Sequence, residues 1–374
     1  MCSSSWTISV AYLQRVEAAL DAIREQGRYR EIQPEQPRAV ADFSTNDYLA
    51  LATDSRMVEA MRYVKRVGAG GARLLGGRHR EQWLLETDIA AWLGRERALL
   101  FSSGYMAALG VIPVLAQFAD VVYSDALNHA SLIDGIRASR LAREIYPHAQ
   151  LPPKERRRHP ALIVSESLFG MDGDPVDVRA LVEDLHGDDI LLIDEAHALG
   201  VLGAQGAGLS HGIADDRIVV LGTLSKAIGA SGGFIAGPKQ LIDLLVNTAR
   251  TFIFDTALPP AIAFAARVGI MLSRTAEDRR ARLRANADRL REGLRALGMA
   301  APPYQTPLVP IVVGEERRAM ELMERCLARG IYAPAVRPPT VPPGSSRLRI
   351  SLRADHTDEQ IALLLECLAC AASS

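Results

Sequence analysis

Four residues of this 374-residue chain put reactive side chains at the ends of apolar runs: His129, Asp194, His197 and Lys226. Lys226 lies in LGTLSKAIGASGG (221–233), among residues too small to shield or pair with it. The chain carries four lysines against 39 arginines, so a lysine here is a chemical choice rather than a plain positive charge. A desolvated lysine can lose its proton and form a Schiff base; a guanidinium cannot. Just ahead, Thr223 and Ser225 supply hydroxyl donors. Asp194 ends the run ILLID and stands three residues before His197. Carboxyl ends of parallel strands line the ligand crevice of open α/β sheets. A carboxylate buried there needs a positive partner, although Asp194 also suits a helix N-cap. His129 follows VVYSD in ALNHAS, and on its own reads as a capping or core residue sooner than as a site residue. A fifth feature is the turn Ser102-Ser103-Gly104 between RALLF and an apolar helix. Unpaired N–H groups and the helix dipole make such a corner an anion site. It is neither G-x-G-x-x-G nor a P-loop, so the common nucleotide fingerprints are absent.

These residues need a frame. From about 95 to 237, short runs rich in Val, Ile and Leu alternate with longer amphipathic segments: RALLFSS, VVYSD, REIYPH, ALIVSES, ILLID, IVVLGT and GGFIAG. That pattern predicts a mostly parallel central sheet with helices on both faces, an α/β architecture. Residues 11–26 repeat apolar positions at helical spacing and stop at Gly27, which predicts an N-terminal helical arm. After about 245 the texture changes to a long charged helix (276–297), then strands and helices in alternation, which predicts a smaller α+β domain. The expected division is an arm over 1–45, a large domain over 46–245 and a small one over 246–374. The basic run KERRRHP (154–160) reads as a solvated loop rather than an anion patch.

Taken together, the reactive residues match one cofactor. An acid at a strand end can hold a protonated pyridine nitrogen, a helix N-terminus a phosphate, a histidine an aromatic ring, and a lysine the imine. These are the needs of pyridoxal phosphate (PLP). D-x-A-H, then T-x-S-K some thirty residues on, with S-G-Y upstream and A-L-N-H-A-S between, resembles the α-oxoamine synthases, fold type I PLP enzymes. The likeness runs from FSTNDYLAL (43–51) to RLRISL (347–352). It implies that Lys226 forms the Schiff base and moves the substrate Cα proton, that Asp194 pairs with the pyridine nitrogen, and that His197 bonds the ring oxygen. It further implies that His129 stacks on the ring and that Gly104, Tyr105 and Thr223 hold the phosphate. Thr256 would reach the cofactor of a neighbouring subunit in a homodimer. Arg349, with Asn46 nearby, would hold the amino-acid carboxylate through its bidentate fork, and Arg30 and Thr340 would line the acyl side.

The stretch AVRPPTVPPGSSRLRISL (335–352) implies a narrower expectation: decarboxylative condensation of L-alanine with a pimeloyl thioester, on CoA or an acyl carrier protein, early in biotin biosynthesis. A near alternative in the same family takes glycine or serine with another acyl thioester, such as acetyl-CoA. A remote one is a non-catalytic nucleotide-binding α/β module, which leaves Lys226 unexplained. Four positions depart from the family pattern: Gln82, Ala108, Gly170 and Asp255.

Composition sets the outer bounds. A 48% hydrophobic and 23% charged chain is that of a soluble globular protein. A net charge of −1 gives no pull towards nucleic acid or an anionic membrane. Cys2, Cys326, Cys367 and Cys370 make no disulfide framework, which with the absence of a signal-like N-terminus suggests the cytoplasm. Cys367-Leu-Ala-Cys370 has the spacing of a redox or zinc pair but no second pair, so no metal is expected.

Overall fold

The computed structural model describes residues 11–30 and 40–372. Cys2 and residues 31–39 of the expected arm lie outside the described residues, as does the side chain of Cys370. In chain order the first elements are α1 (Ala11–Glu25), β1 (Ala41–Asp42), α2 (Ser55–Ala60) and α3 (Arg80–Leu93). The central run is β2 (Arg97–Phe101), α4 (Gly104–Leu115), β3 (Val121–Asp125), α5 (Ala130–Ser139), β4 (Arg143–Tyr146), β5 (Ala161–Glu166), α6 (Val178–Glu183), β6 (Ile190–Asp194), β7 (Ile218–Thr223) and β8 (Gly233–Gly237). Then follow α7 (Lys239–Thr248), α8 (Arg250–Ile253), α9 (Pro260–Arg274), α10 (Glu277–Ala296), β9 (Leu308–Gly314), α11 (Glu316–Ala328), β10 (Ile331–Tyr332), β11 (Ala335–Val336), β12 (Ser346–Ser351) and α12 (Asp358–Ala372).

The chain forms two compact units. The larger comprises residues 45–309 and 351–361. Its seven-stranded sheet has the order β2-β8-β7-β6-β5-β3-β4. All seven apolar runs named from sequence are its strands. Pairings among β4, β3, β5, β6 and β7 are parallel, while β8 runs antiparallel to both β7 and β2. Every residue of β3, β5, β7 and β8 is buried. Two apolar layers explain why: one centres on Leu85, Ile163, Ile193 and Val220, the other on Ile112, Val164, Leu192 and Leu221. A strand covered on both faces has no polar side, hence the continuous apolar runs.

The smaller unit comprises residues 1–44, 310–350 and 362–374. β1 pairs in parallel with β10, and β11-β12-β9 form a second small sheet. Within it Arg28 pairs with Glu316 at 3.0 Å. These units are cut differently from the expected division at 245. Helices α9 and α10 lie in the larger unit and the residues before Thr45 in the smaller. Texture along a sequence cannot reveal a chain that leaves a unit and returns to it. The basic run 154–160 also differs in part from a solvated loop. The Arg157 side chain is fully buried and pairs with Asp184 at 2.8 Å, and His159 bonds buried Asp189 at 2.7 Å.

Candidate active site

The carboxyl ends of the parallel strands bring most of the singled-out residues together in the larger unit. Asp194 ends β6, is buried, and accepts from the backbone N–H of Ala196 at 2.8 Å. The N-cap reading is thus half right: the carboxylate ties down the next turn, but no helix follows. Burial raises the Asp194 pKa to about 6, against the pull of the Lys226 ammonium. Directly across in β5, in register with it, stands Glu166. Burial, reinforced by the Asp194 charge, raises Glu166 to about 8. Its Oε1 accepts from the His129 backbone N–H at 2.7 Å. Glu166 was missed in the sequence; its signal was an acid ending the otherwise apolar ALIVSE.

His197 is buried, and its Nδ1 lies 2.6 Å from the Tyr48 hydroxyl. Tyr48, fully buried in the quoted FSTNDYLAL, is a second residue the sequence reading passed over. The neighbouring hairpin explains Gly170. A Cβ there would stand 2.3 Å from His197 Nε2, so in this chain the imidazole occupies the space a side chain at 170 would need.

His129 caps α5: its Nδ1 accepts from the Ser131 N–H at 3.2 Å. Its ring nevertheless stays accessible, edge-on to Tyr105 at 6.3 Å. The protein walls around it and the nearby Lys226 charge both lower its pKa. A neutral, accessible imidazole suits a flat aromatic ligand. Tyr105 donates its hydroxyl to Asp134.

The phosphate corner is built by close backbone approach. Ser103 caps α4, accepting from Met106 N–H at 3.2 Å. That leaves the helix's first N–H groups, at Gly104 and Tyr105, without intrahelical acceptors. A Cβ on Gly233 would sit 2.3 Å from Gly104 N, and one on Gly104 would sit 3.4 Å from Thr223 Cβ. The small residues after Lys226 thus let the start of β8 lie against the start of α4. Thr223, at the end of β7, places its Oγ1 2.8 Å from Ser225 Oγ and 3.0 Å from Gly232 O. Lys226, half-buried, follows three residues later. A buried acid, a lysine amine and an anion-binding helix end within one strand-end cluster are the donor set PLP requires.

Thr256 is exposed and bridges to Ala72, with Ala257 N–H donating to Gly71 O at 3.1 Å. Asp255 accepts from Ser102 Oγ and from Thr256 N–H. Gln82 is fully buried and joins Gly77 O and Leu258 O at 3.1 and 2.7 Å. Ala108 is buried in α4. Asn46 Oδ1 accepts from Tyr48 at 3.2 Å. Arg30, Thr340 and Arg349 fall in the smaller unit. Arg30 and Thr340 are exposed, and Arg349 is buried in β12.

Residues 38–368 match the aminotransferase class I and II family. The chain is 44% identical to the 8-amino-7-oxononanoate synthase of Methylococcus capsulatus, over 92% of this chain and 95% of the relative. It is 42% identical to that of Anaeromyxobacter dehalogenans, over 96% and 95%. The chain belongs to the α-oxoamine synthases. Similar solved structures include the serine palmitoyltransferase of S. paucimobilis, determined with PLP and myriocin (TM-score 0.85, 26% identity, 98% of each chain). Another is the 8-amino-7-oxononanoate synthase of Francisella tularensis (TM-score 0.77, 28% identity, 89% of this chain and 98% of that one). This α-oxoamine synthase is therefore a PLP-dependent acyltransferase on the fold type I framework.

Proposed function

We propose that the chain condenses L-alanine with a pimeloyl thioester to give 8-amino-7-oxononanoate, CO2 and free thiol, in biotin biosynthesis. The observation that carries this reading is the identity of 42–44% with 8-amino-7-oxononanoate synthases across more than nine-tenths of the chain. When bound, PLP supplies an electron sink for the carbanion at the amino-acid Cα. The chain's own residues do the rest. Asp194 would hold the protonated ring nitrogen, His197 the ring oxygen and His129 the ring face. Gly104, Tyr105 and Thr223 hold the phosphate, with Thr256 reaching that of a partner in a homodimer. The Lys226 amine takes the Cα proton and later returns one. Arg349, assisted by Asn46, would hold the substrate carboxylate and so orient the amino acid. Arg30 and Thr340 contact the acyl chain. The pimeloyl group arrives on CoA or on an acyl carrier protein, in the cytoplasm; among the described residues no helix is long and apolar enough to cross a membrane.

A second reading, serine or glycine with another acyl thioester, draws on the higher TM-score to a serine palmitoyltransferase. Spectral titration of the PLP-loaded protein with alanine, glycine and serine, followed by pimeloyl, acetyl and palmitoyl thioesters with mass detection, tests both. Alanine and pimeloyl should give product at the lowest concentrations. Turnover only with serine or glycine would overturn the first reading.

A further inference from the structure

The stretch YPH (146–148) ends in a histidine that the mechanism does not use. His148 follows β4, and each of its ring nitrogens meets a carboxylate. Nδ1 lies 3.0 Å from Asp125 Oδ1 and Nε2 lies 2.5 Å from Asp174 Oδ2. Its ring stands edge-on to Phe169 at 4.4 Å. Asp125 is buried at the end of β3, four residues before His129, and also accepts the N–H groups of Leu127 and Ala149 at 2.8 and 2.9 Å. Asp174 belongs to the hairpin 167–176. That hairpin is closed by Phe169 N–H to Asp174 O at 3.0 Å, Gly173 N–H to Phe169 O at 2.9 Å and Val176 N–H to Ser167 O at 2.9 Å. The same hairpin carries Gly170 against His197.

Ionised carboxylates only accept, so two such contacts require both imidazole nitrogens to donate, which is the imidazolium form. We propose that His148 is a positioning residue: as an imidazolium it bolts the 167–176 hairpin to the end of β3, and so holds Gly170 against His197 beside the site. Burial alone would lower its pKa, but the two carboxylates outweigh burial and the net direction is up. The titratable groups around it are Asp125 on β3, Asp174 on the hairpin and Tyr146 on β4, whose phenol is pushed up by burial and by Asp125. For a histidine raised in the fold, the stabilisation is present below the ordinary histidine pKa and lost as pH rises through the folded value.

That the hairpin borders an active site rests on the functional reading above; the contact itself is tested without it. Hydrogen exchange of the PLP-loaded protein at pH 6.5 and pH 9.5 would follow amides of 167–176 relative to those of β5 and β6 in the same sample, which cancels the intrinsic pH dependence. In the unaltered protein the relative protection of the hairpin should fall at least fivefold between the two pH values. His148→Phe keeps the packing on Phe169 but donates to neither carboxylate, and should show the low protection at both. Asp174→Ala, which removes the hairpin side of the contact, should match it and serves if His148→Phe does not fold. Hairpin protection that is constant with pH, or unchanged in a folded variant, would overturn the proposal even if the enzyme turns over as proposed. Conversely, a protection pattern as expected in a protein inactive on every thioester would sink the substrate reading alone.

Discussion

Lys226, Asp194 and Glu166 carry the electrostatics of the site. Lys226→Ala should abolish both turnover and the yellow, borohydride-reducible adduct of the PLP-loaded protein; retained activity would remove the lysine from the chemistry. Glu166 gives a sharper test because its pKa rises from an ordinary 4.5 to about 8 on folding. Between those values the folded state holds the proton more tightly than the unfolded one, so stability falls as pH rises. Glu166→Gln keeps an oxygen for the His129 N–H and removes the charge. In PLP-free protein it should stabilise the fold at pH 8 by at least about 1 kcal/mol and have little effect near pH 5. Parallel melting curves across that range would show that Glu166 sits ionised without cost.

At the scale of elements, α4 does two jobs with one end. Ser103 satisfies the Met106 N–H and leaves the earlier N–H groups for an anion. Ser103→Ala should cost about 1 kcal/mol of stability in urea unfolding. It should also weaken PLP binding more than it slows turnover at saturating cofactor, because a frayed first turn presents its N–H groups poorly. The helix can lie tight on α5 because Gly135 has no side chain: a Cβ there would stand 2.7 Å from Ile112 Cδ1 and 2.9 Å from Ala108 O. Gly135→Ala should destabilise the fold by roughly 1–3 kcal/mol through overpacking, read as a lowered urea midpoint with unchanged slope. Ala108, one of the departures from the family pattern, lies at this contact, where its small side chain is buried.

For the molecule as a whole, several large apolar side chains stand exposed. Tyr63, Val67 and Leu75 are 73%, 90% and 78% exposed, and Phe254, near Thr256, is 68% exposed. An apolar side chain left in water gains when a partner covers it. A homodimer in which Thr256 serves a partner's site would cover such side chains. Val67→Asp combined with Leu75→Asp should shift the sedimentation of the protein from dimer to monomer and lower PLP retention several-fold. A dimer undisturbed by both charges would place the interface elsewhere.

The inner strands β3, β5, β7 and β8 were legible because each is buried on both faces, and a doubly covered strand must be largely apolar. Edge strand β4, exposed at three of its four residues, was legible by its place in the alternation. Lys226 and Asp194 were legible because reactive side chains at strand ends break those runs. Glu166 also ends such a run, but only its register with Asp194 shows two acids facing one another. Tyr48 and His148 carry no local pattern: their partners, His197 on one side and Asp125 and Asp174 on the other, lie 23 to 149 residues away. The assignment of α9 and α10 to the larger unit likewise depends on where a returning chain packs. Side-chain type and periodicity are local properties and survive in one dimension. Hydrogen-bond partnership, burial of charge and the close approach of Gly104 to Gly233 depend on distances that only the folded chain sets.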